Sequence, residues 1–168
     1  RATGQAASAT FQQDVYLKAS NTNAGDGFGQ SVAIDGNTVV IGAPGETSNA
    51  TGVNGNQNDN SAAPYAGAVY VFVRNGTIWT QQAYIKPSTI LPYMYFGSGA
   101  AISGNSIAIT SDIDANVFTK NGTNWVEEAN IIYSSNPGGP PYLRLKPDIS
   151  GDQLIVAVGN QEEAFIYN

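Results

Sequence analysis

The side chains able to move protons are few and paired: Asp112 and Asp114 lie two residues apart, and Glu127-Glu128 and Glu162-Glu163 are adjacent. Paired carboxylates serve as general acid and base, or as acid and nucleophile in glycoside hydrolysis, when both face one cleft. Successive side chains of an extended strand point to opposite faces, so each adjacent glutamate pair offers at most one member to a given cleft. Solubility and protection of sheet edges account for these acids more simply. The chain has no histidine, which removes imidazole as base, proton shuttle and metal ligand, and no cysteine, which removes thiol nucleophiles, disulfides and thiolate metal sites. With no partner base for any acid, the expectation is a protein that is not an enzyme.

Two stretches carry oxygen-bearing side chains of the kind a hard cation accepts. Asn21, Asn23 and Asp26 fall within one short turn-forming segment, and Asp59 lies in the asparagine-rich run 54–60. Each stretch holds a single acid, so calcium is the cation to expect if one binds, and hydrogen-bonded turns are the plainer reading. No other cofactor is implied. Tyr65, Tyr93, Tyr95 and Tyr142 lie in long or irregular connections, where phenol rings next to Asn and Asp suit stacking on sugar rings. The alternative use of these rings is to fill space around the axis of a small β-rich domain.

Seven basic against thirteen acidic residues leave a net charge of -6, so there is no basic footprint for nucleic acid or for an anionic membrane surface. No apolar run approaches the roughly 18 residues of a membrane span, and no signal-peptide pattern follows Arg1, so a soluble, processed chain is expected, without membrane insertion. At 42% hydrophobic residues the 168-residue chain can build a core. Asn, Thr, Ser and Gly dominate its polar part, a composition that favours turns and short strands over helices. An extracellular or cell-surface location fits that composition.

The elements that must position these residues are repeated. Val32 to Gly42 reads as two short strands around Asp35-Gly36-Asn37, and the same pattern returns at Ala100 to Ile109 around Ser103-Gly104-Asn105 and at Pro147 to Ala157 around Ser150-Gly151-Asp152. A second hairpin with an Asn-Gly turn follows at Ala68 to Trp79 and at Asn116 to Trp125. Trp79 to Lys86 then matches Trp125 to Ile132, and both match Phe11 to Lys18. The unit is a four-stranded meander with a period of about 45 residues, the pattern of a β-propeller blade. Ser103 and Ser150 are 47 residues apart, whereas Asp35 and Ser103 are 68 apart, so the first copy carries an inserted loop at 45–65.

The expected fold is all-β: a propeller-like array of three four-stranded antiparallel blades over 11–168, at about 19–82, 83–128 and 129–168 with 11–18, behind an extended segment 1–10. The third copy stops short of its fourth strand, and the segment Phe11 to Lys18, with Phe11, Val15 and Leu17 as its apolar residues, is an orphan fourth strand. It can complete the last blade of its own chain or a blade of a neighbour, because an open sheet edge recruits strands. Three blades are few for a closed propeller. Two chains giving six blades, a longer protein, and a three-bladed wedge each resolve that conflict.

Phe28-Gly29, followed by Gly42-Ala43-Pro44, carries in order the pairs for which the FG-GAP repeat is named, and the first copy resembles a bacterial FG-GAP blade, similar in kind to those of the integrin α-subunit head. The second copy keeps Phe96-Gly97 and has Thr110-Ser111-Asp112 in place of Gly-Ala-Pro. The third, with Leu143-Arg144 and Ala157-Val158-Gly159, keeps neither pair. The resemblance implies a propeller, with Phe28 packed between blades and the glycines allowing close backbone approach. The calcium loop that integrin-like members hold between the two pairs is replaced here by Asp35-Gly36-Asn37 alone. The implied function is a non-catalytic extracellular module for adhesion or binding of a glycan or protein, or for self-association. A subunit of a strand-exchanged oligomer or filament, and a carbohydrate-active enzyme or a fragment of one, are the alternatives.

Overall fold

The computed structural model describes residues 12–21, 23–58, 63–133, 145–159 and 162–168. These residues form eleven strands and no helix. The first sheet holds β1 (Ser31–Asp35), β2 (Thr38–Ala43), β3 (Ala68–Asn75) and β4 (Ile78–Ile85). The second holds β5 (Gly99–Ser103), β6 (Ser106–Thr110), β7 (Asp114–Asn121) and β8 (Asn124–Ile132). The third holds β9 (Leu145–Ser150), β10 (Gln153–Val158) and β11 (Glu163–Tyr167). Each sheet is an antiparallel meander in chain order.

The repeat is kept down to its irregularities. β3 and β4 slip register between Val71 and Phe72, and β7 and β8 slip between Val117 and Phe118, so the two sheets carry the same bulge. The turns before β4 and β8 place Gly76 and Gly122 at φ +61° and +64°, a backbone state a glycine enters at little cost.

Strands with apolar residues on both faces must be covered on both, and the three sheets do this for one another. One core lies between the first and second sheets, with Val40, Val71 and Ile85 facing Phe96, Ile107, Ile109 and Trp125. Another lies between the second and third sheets, with Ala108 and Ala115 facing Leu154, Val156 and Val158. The first strands are neighbours, β1 against β5 and β5 against β9. Two hydrogen bonds repeat across these contacts: the Gly104 N–H donates to the Asp35 carboxylate at 2.6 Å, and the Gly151 N–H donates to Ser103 Oγ at 3.1 Å.

The FG-GAP-like motif residues have a mechanical role. The Gly29 N–H donates to the Gly42 carbonyl at 3.0 Å, and in the second copy the Gly97 N–H donates to the Thr110 carbonyl at 3.0 Å, tying the entry of one hairpin to the end of its second strand. Ala43 is fully buried, and Pro44 sits in the turn closed by the Glu46 N–H on the Ala43 carbonyl. Phe96 fills the space between the first two sheets, whereas Phe28 lies on the opposite face of the first sheet, edge-on to Tyr70 and Phe72.

Two expectations need correction. Among the described residues the array is four, four and three strands, and the sheets do not close. Residues 12–19 form no strand and do not complete the third sheet: Leu17 and Ala19 pack on the outer face of the first sheet, and the Ser20 N–H donates to Gln81 Oε1 at 3.1 Å. The physical reason is that this segment leads directly into β1, at the far end of the array from β11. Val15 is 44% exposed there, and Phe11 lies outside the described residues. The bulge of the second sheet falls at Glu127 and Glu128. Glu127 Oε2 accepts from the Ser88 N–H, and Glu128 Oε1 accepts from Thr119 Oγ1.

Gly42 is a point of close approach between the first sheet and the segment that enters β5, since a Cβ there would run into the Gly97 carbonyl oxygen and Ser31 Oγ. Gly42→Ala is expected to destabilise the protein by about 1–3 kcal/mol, as overpacking against backbone does. A urea titration should show a lower midpoint with an unchanged slope.

Candidate functional site

Two chain segments run side by side between the first and second sheets and present three of the predicted tyrosines together. The Tyr93 N–H donates to the Pro64 carbonyl at 2.8 Å, the Tyr95 N–H to the Tyr65 carbonyl at 2.9 Å, and the Phe96 N–H to the Ala66 carbonyl at 3.0 Å. Phe96 and Met94 point into the core and are buried, which turns the alternate residues Tyr93 and Tyr95 outward. The Tyr65 and Tyr93 rings stack with centroids 5.8 Å apart, and Tyr65 and Tyr95 are 5.4 Å apart at a tilt of 34°. Tyr65 and Tyr93 are 44% and 46% exposed, so this aromatic face is on the surface.

All three tyrosines have left-handed backbones, at φ +54°, +62° and +55°. Such a conformation costs a bulky residue on the order of 1–3 kcal/mol and persists where the surroundings impose it, commonly at binding sites. Here the paired segments impose it. Asp112 joins the same place through its N–H, which donates to the Met94 carbonyl at 2.8 Å, and burial pushes its carboxyl above the usual range. Tyr142 lies outside the described residues.

The other predicted acid of this pair is spent inside the fold. The Asp114 carboxylate accepts from Ser111 Oγ and, at 2.8 Å, from Asn130 Nδ2, which also donates to Asn116 Oδ1 at 2.7 Å. A cleft of about 280 Å³ beside it is lined by Ser88, Leu91, Met94 and Asn130. Glu163 opens β11 and is exposed, as is Glu162 before it.

The predicted cation ligands Asn21, Asn23 and Asp26 share one turn, in which Asp26 Oδ2 accepts from the Asn23 N–H at 2.7 Å. The Asn21 side chain is engaged elsewhere: its Oδ1 accepts from the Tyr70 hydroxyl at 2.6 Å and its Nδ2 donates to Glu46 Oε1 at 3.1 Å. Asp59 lies outside the described residues, and among those described no three acidic side chains gather around a common point.

This turn belongs to a buried polar network that sequence reasoning did not find. Lys86 Nζ donates to Glu46 Oε2 at 2.7 Å and to the Ser48 carbonyl at 2.5 Å, with both charged side chains almost wholly excluded from solvent. Ser48 Oγ and the Tyr84 hydroxyl are 2.5 Å apart. Burial lowers the Lys86 pKa against the opposing pull of Glu46, and burial raises that of Asp26 and those of the Tyr70 and Tyr84 phenols. The network pins the inserted loop, whose Gly52 carbonyl accepts from the Lys86 N–H and whose Asn54 N–H donates to the Tyr84 carbonyl, so that the loop covers the outer edge of β4. A lysine continuing an otherwise apolar strand end, with a glutamate just after Gly-Ala-Pro-Gly, was the available signal.

Stacked four-stranded meanders joined in chain order, each covering a face of the next, define the propeller-type repeat proteins. Within that class, the family model of the FG-GAP repeat matches residues 11–72 of the chain. The match takes in both motif pairs and the segment ahead of β1. No curated protein matches the chain in sequence.

Removing one member of a buried ion pair strands the other, which costs about 3–5 kcal/mol. Glu46→Gln and Lys86→Met are each expected to destabilise the protein strongly, while Glu46→Leu with Lys86→Met costs less than either alone. Chemical denaturation of the four proteins measures that coupling.

Proposed function

We propose that this protein is a non-catalytic, extracellular binding module that takes carbohydrate on the face made by Tyr65, Tyr93 and Tyr95. The observation that carries the reading is a cluster of three tyrosine rings, Tyr65 and Tyr93 exposed and stacked with the half-buried Tyr95 tilted beside Tyr65, all held in left-handed backbone conformations by paired segments. Rigid aromatic faces pack against the apolar side of a sugar ring at little cost in side-chain entropy, and a nearby carboxyl can accept hydroxyl hydrogen bonds. We assign that second role to Asp112, whose N–H donates to the carbonyl of Met94, between Tyr93 and Tyr95. Surface loops set on a rigid sheet scaffold are where binding residues concentrate. Calcium has no part in this reading, since the Asn21 side chain is engaged in the hydrogen bonds that hold the inserted loop.

The enzyme reading rests on fold analogy, which does not carry function. It differs from the binding reading in one outcome, the fate of the sugar. A glycan array probed with the protein, followed by titration of the best oligosaccharide with tyrosine fluorescence as readout, is expected to give saturable binding. Tyr65→Ala with Tyr93→Ala should weaken it at least tenfold without lowering the melting temperature by more than a few degrees, and the sugar should be recovered unchanged. Turnover of the sugar that Asp112→Asn abolishes would replace this reading with a catalytic one, and absence of any binding would remove it.

A further inference from the structure

The buried polar network on the first sheet brings an amine, a carboxamide and a carboxylate together away from water. Lys86 Nζ donates to Glu46 Oε2 at 2.7 Å, and Asn21 Nδ2 donates to Glu46 Oε1 at 3.1 Å, so one carboxylate holds both nitrogens, each on its own oxygen. The carbonyl oxygen of the same Asn21 side chain accepts from the Tyr70 hydroxyl at 2.6 Å. Lys86 and Glu46 are fully buried and Asn21 is half-buried, beside the apolar cluster that contains Tyr70, Tyr84, Ala43 and Ala68. An ion pair alone needs neither the amide on the second oxygen nor the phenol on the amide.

Together these groups supply what the condensation of an amine with a carboxamide requires. A desolvated ammonium gives up its proton more readily than one in water, and burial lowers the Lys86 pKa accordingly. Glu46 touches the nitrogen that must lose protons and the nitrogen that must gain them, the position of a general base that turns general acid. The Tyr70 hydroxyl donates to the oxygen that gathers negative charge when the carbonyl carbon is attacked. Groups fixed beside one another in a folded chain react as though highly concentrated, which replaces an external catalyst.

We propose that the folded chain forms an amide bond between Lys86 Nζ and Asn21 Cγ. The Nζ lone pair adds to Cγ, the carbonyl pair moves onto Oδ1 and returns, and the Cγ–Nδ2 bond breaks. Two protons leave Nζ, pass through Glu46 and depart with Nδ2 as ammonium, so the carboxylate is regenerated and neither oxidant nor cofactor is consumed. The bond joins the segment ahead of β1 to the residue after β4, closing the first sheet and its inserted loop into one covalent ring. A chain without cysteine gains in this way the kind of cross-link that a disulfide supplies elsewhere. The inference is independent of what Tyr65, Tyr93 and Tyr95 bind.

The test is intact-mass spectrometry of the folded wild-type chain, followed by proteolysis and fragment mapping. The expected chain is lighter than its sequence by one ammonia and yields a branched fragment in which Asn21 and Lys86 are linked. Lys86→Arg, Asn21→Ala and Glu46→Gln are each expected to show the full sequence mass, and the wild-type chain to run faster than all of them in a denaturing gel. The wild-type result decides the matter even where a variant fails to fold. A folded wild-type chain that keeps its full sequence mass after prolonged incubation would overturn the inference. So would an ammonia loss that maps to an Asn-Gly turn such as Asn75-Gly76, or one that persists in Lys86→Arg.

Discussion

Everything in this structure depends on one constraint: each four-stranded sheet is apolar on both faces and has to be covered on both. A sheet with one wet face could stand with a single packing layer, as many antiparallel sheets do. Here Val40 and Ile41, adjacent on one strand, are both buried, one toward the second sheet and the other toward the outer cluster around Tyr70. The repeated bulge, the repeated turn glycines and the close approach of Gly42 to the segment that enters β5 follow from that demand. The outer face of the first sheet is partly served by other means, because Leu17, Ala19 and the inserted loop lie over it and bury Tyr70 and Tyr84.

That local cover explains why a buried ion pair is found in a protein with so few charges. The inserted loop carries backbone groups to a surface that would otherwise meet water, and Lys86, Glu46, Ser48 and Asn21 satisfy one another within it. A polar network of this type adds little net stability over apolar packing but fixes one arrangement, since any partial version leaves a charge unpaired. The loop also ends beside Tyr65, so the same anchoring supports the aromatic surface. Fold and candidate site are connected through the path from Glu46 to Ala66, whose Gly67 N–H donates to the Glu46 carbonyl at 2.9 Å.

Most of the sheet structure was legible in the residues, because hairpin turns and strand alternation are local. Asp35-Gly36-Asn37 and its two counterparts mark the turns, and the paired strands form around them as read. The fate of the segment before β1 was not legible: a strand-like pattern states which face is apolar, not which edge is within reach, and residues 12–19 are tethered to β1. Three of the four predicted tyrosines do meet, yet their proximity depends on the 63–67 and 93–97 segments running together, a long-range pairing that spacing cannot reveal. The Lys86–Glu46 pair was missed for the same reason, as its partners are far apart in sequence and joined only by the folded loop.

The central claim is that successive sheets cover one another in chain order, with the hairpin glycine of one sheet bonded to the residue before the hairpin glycine of the sheet ahead of it. Because the chain has no cysteine, thiols can be placed at will. Ser103→Cys combined with Asp152→Cys, treated with a short bismaleimide, is the most direct measurement across the second and third sheets. The account predicts that the pair links within one chain. A folded double variant that gives no link within the chain would contradict it.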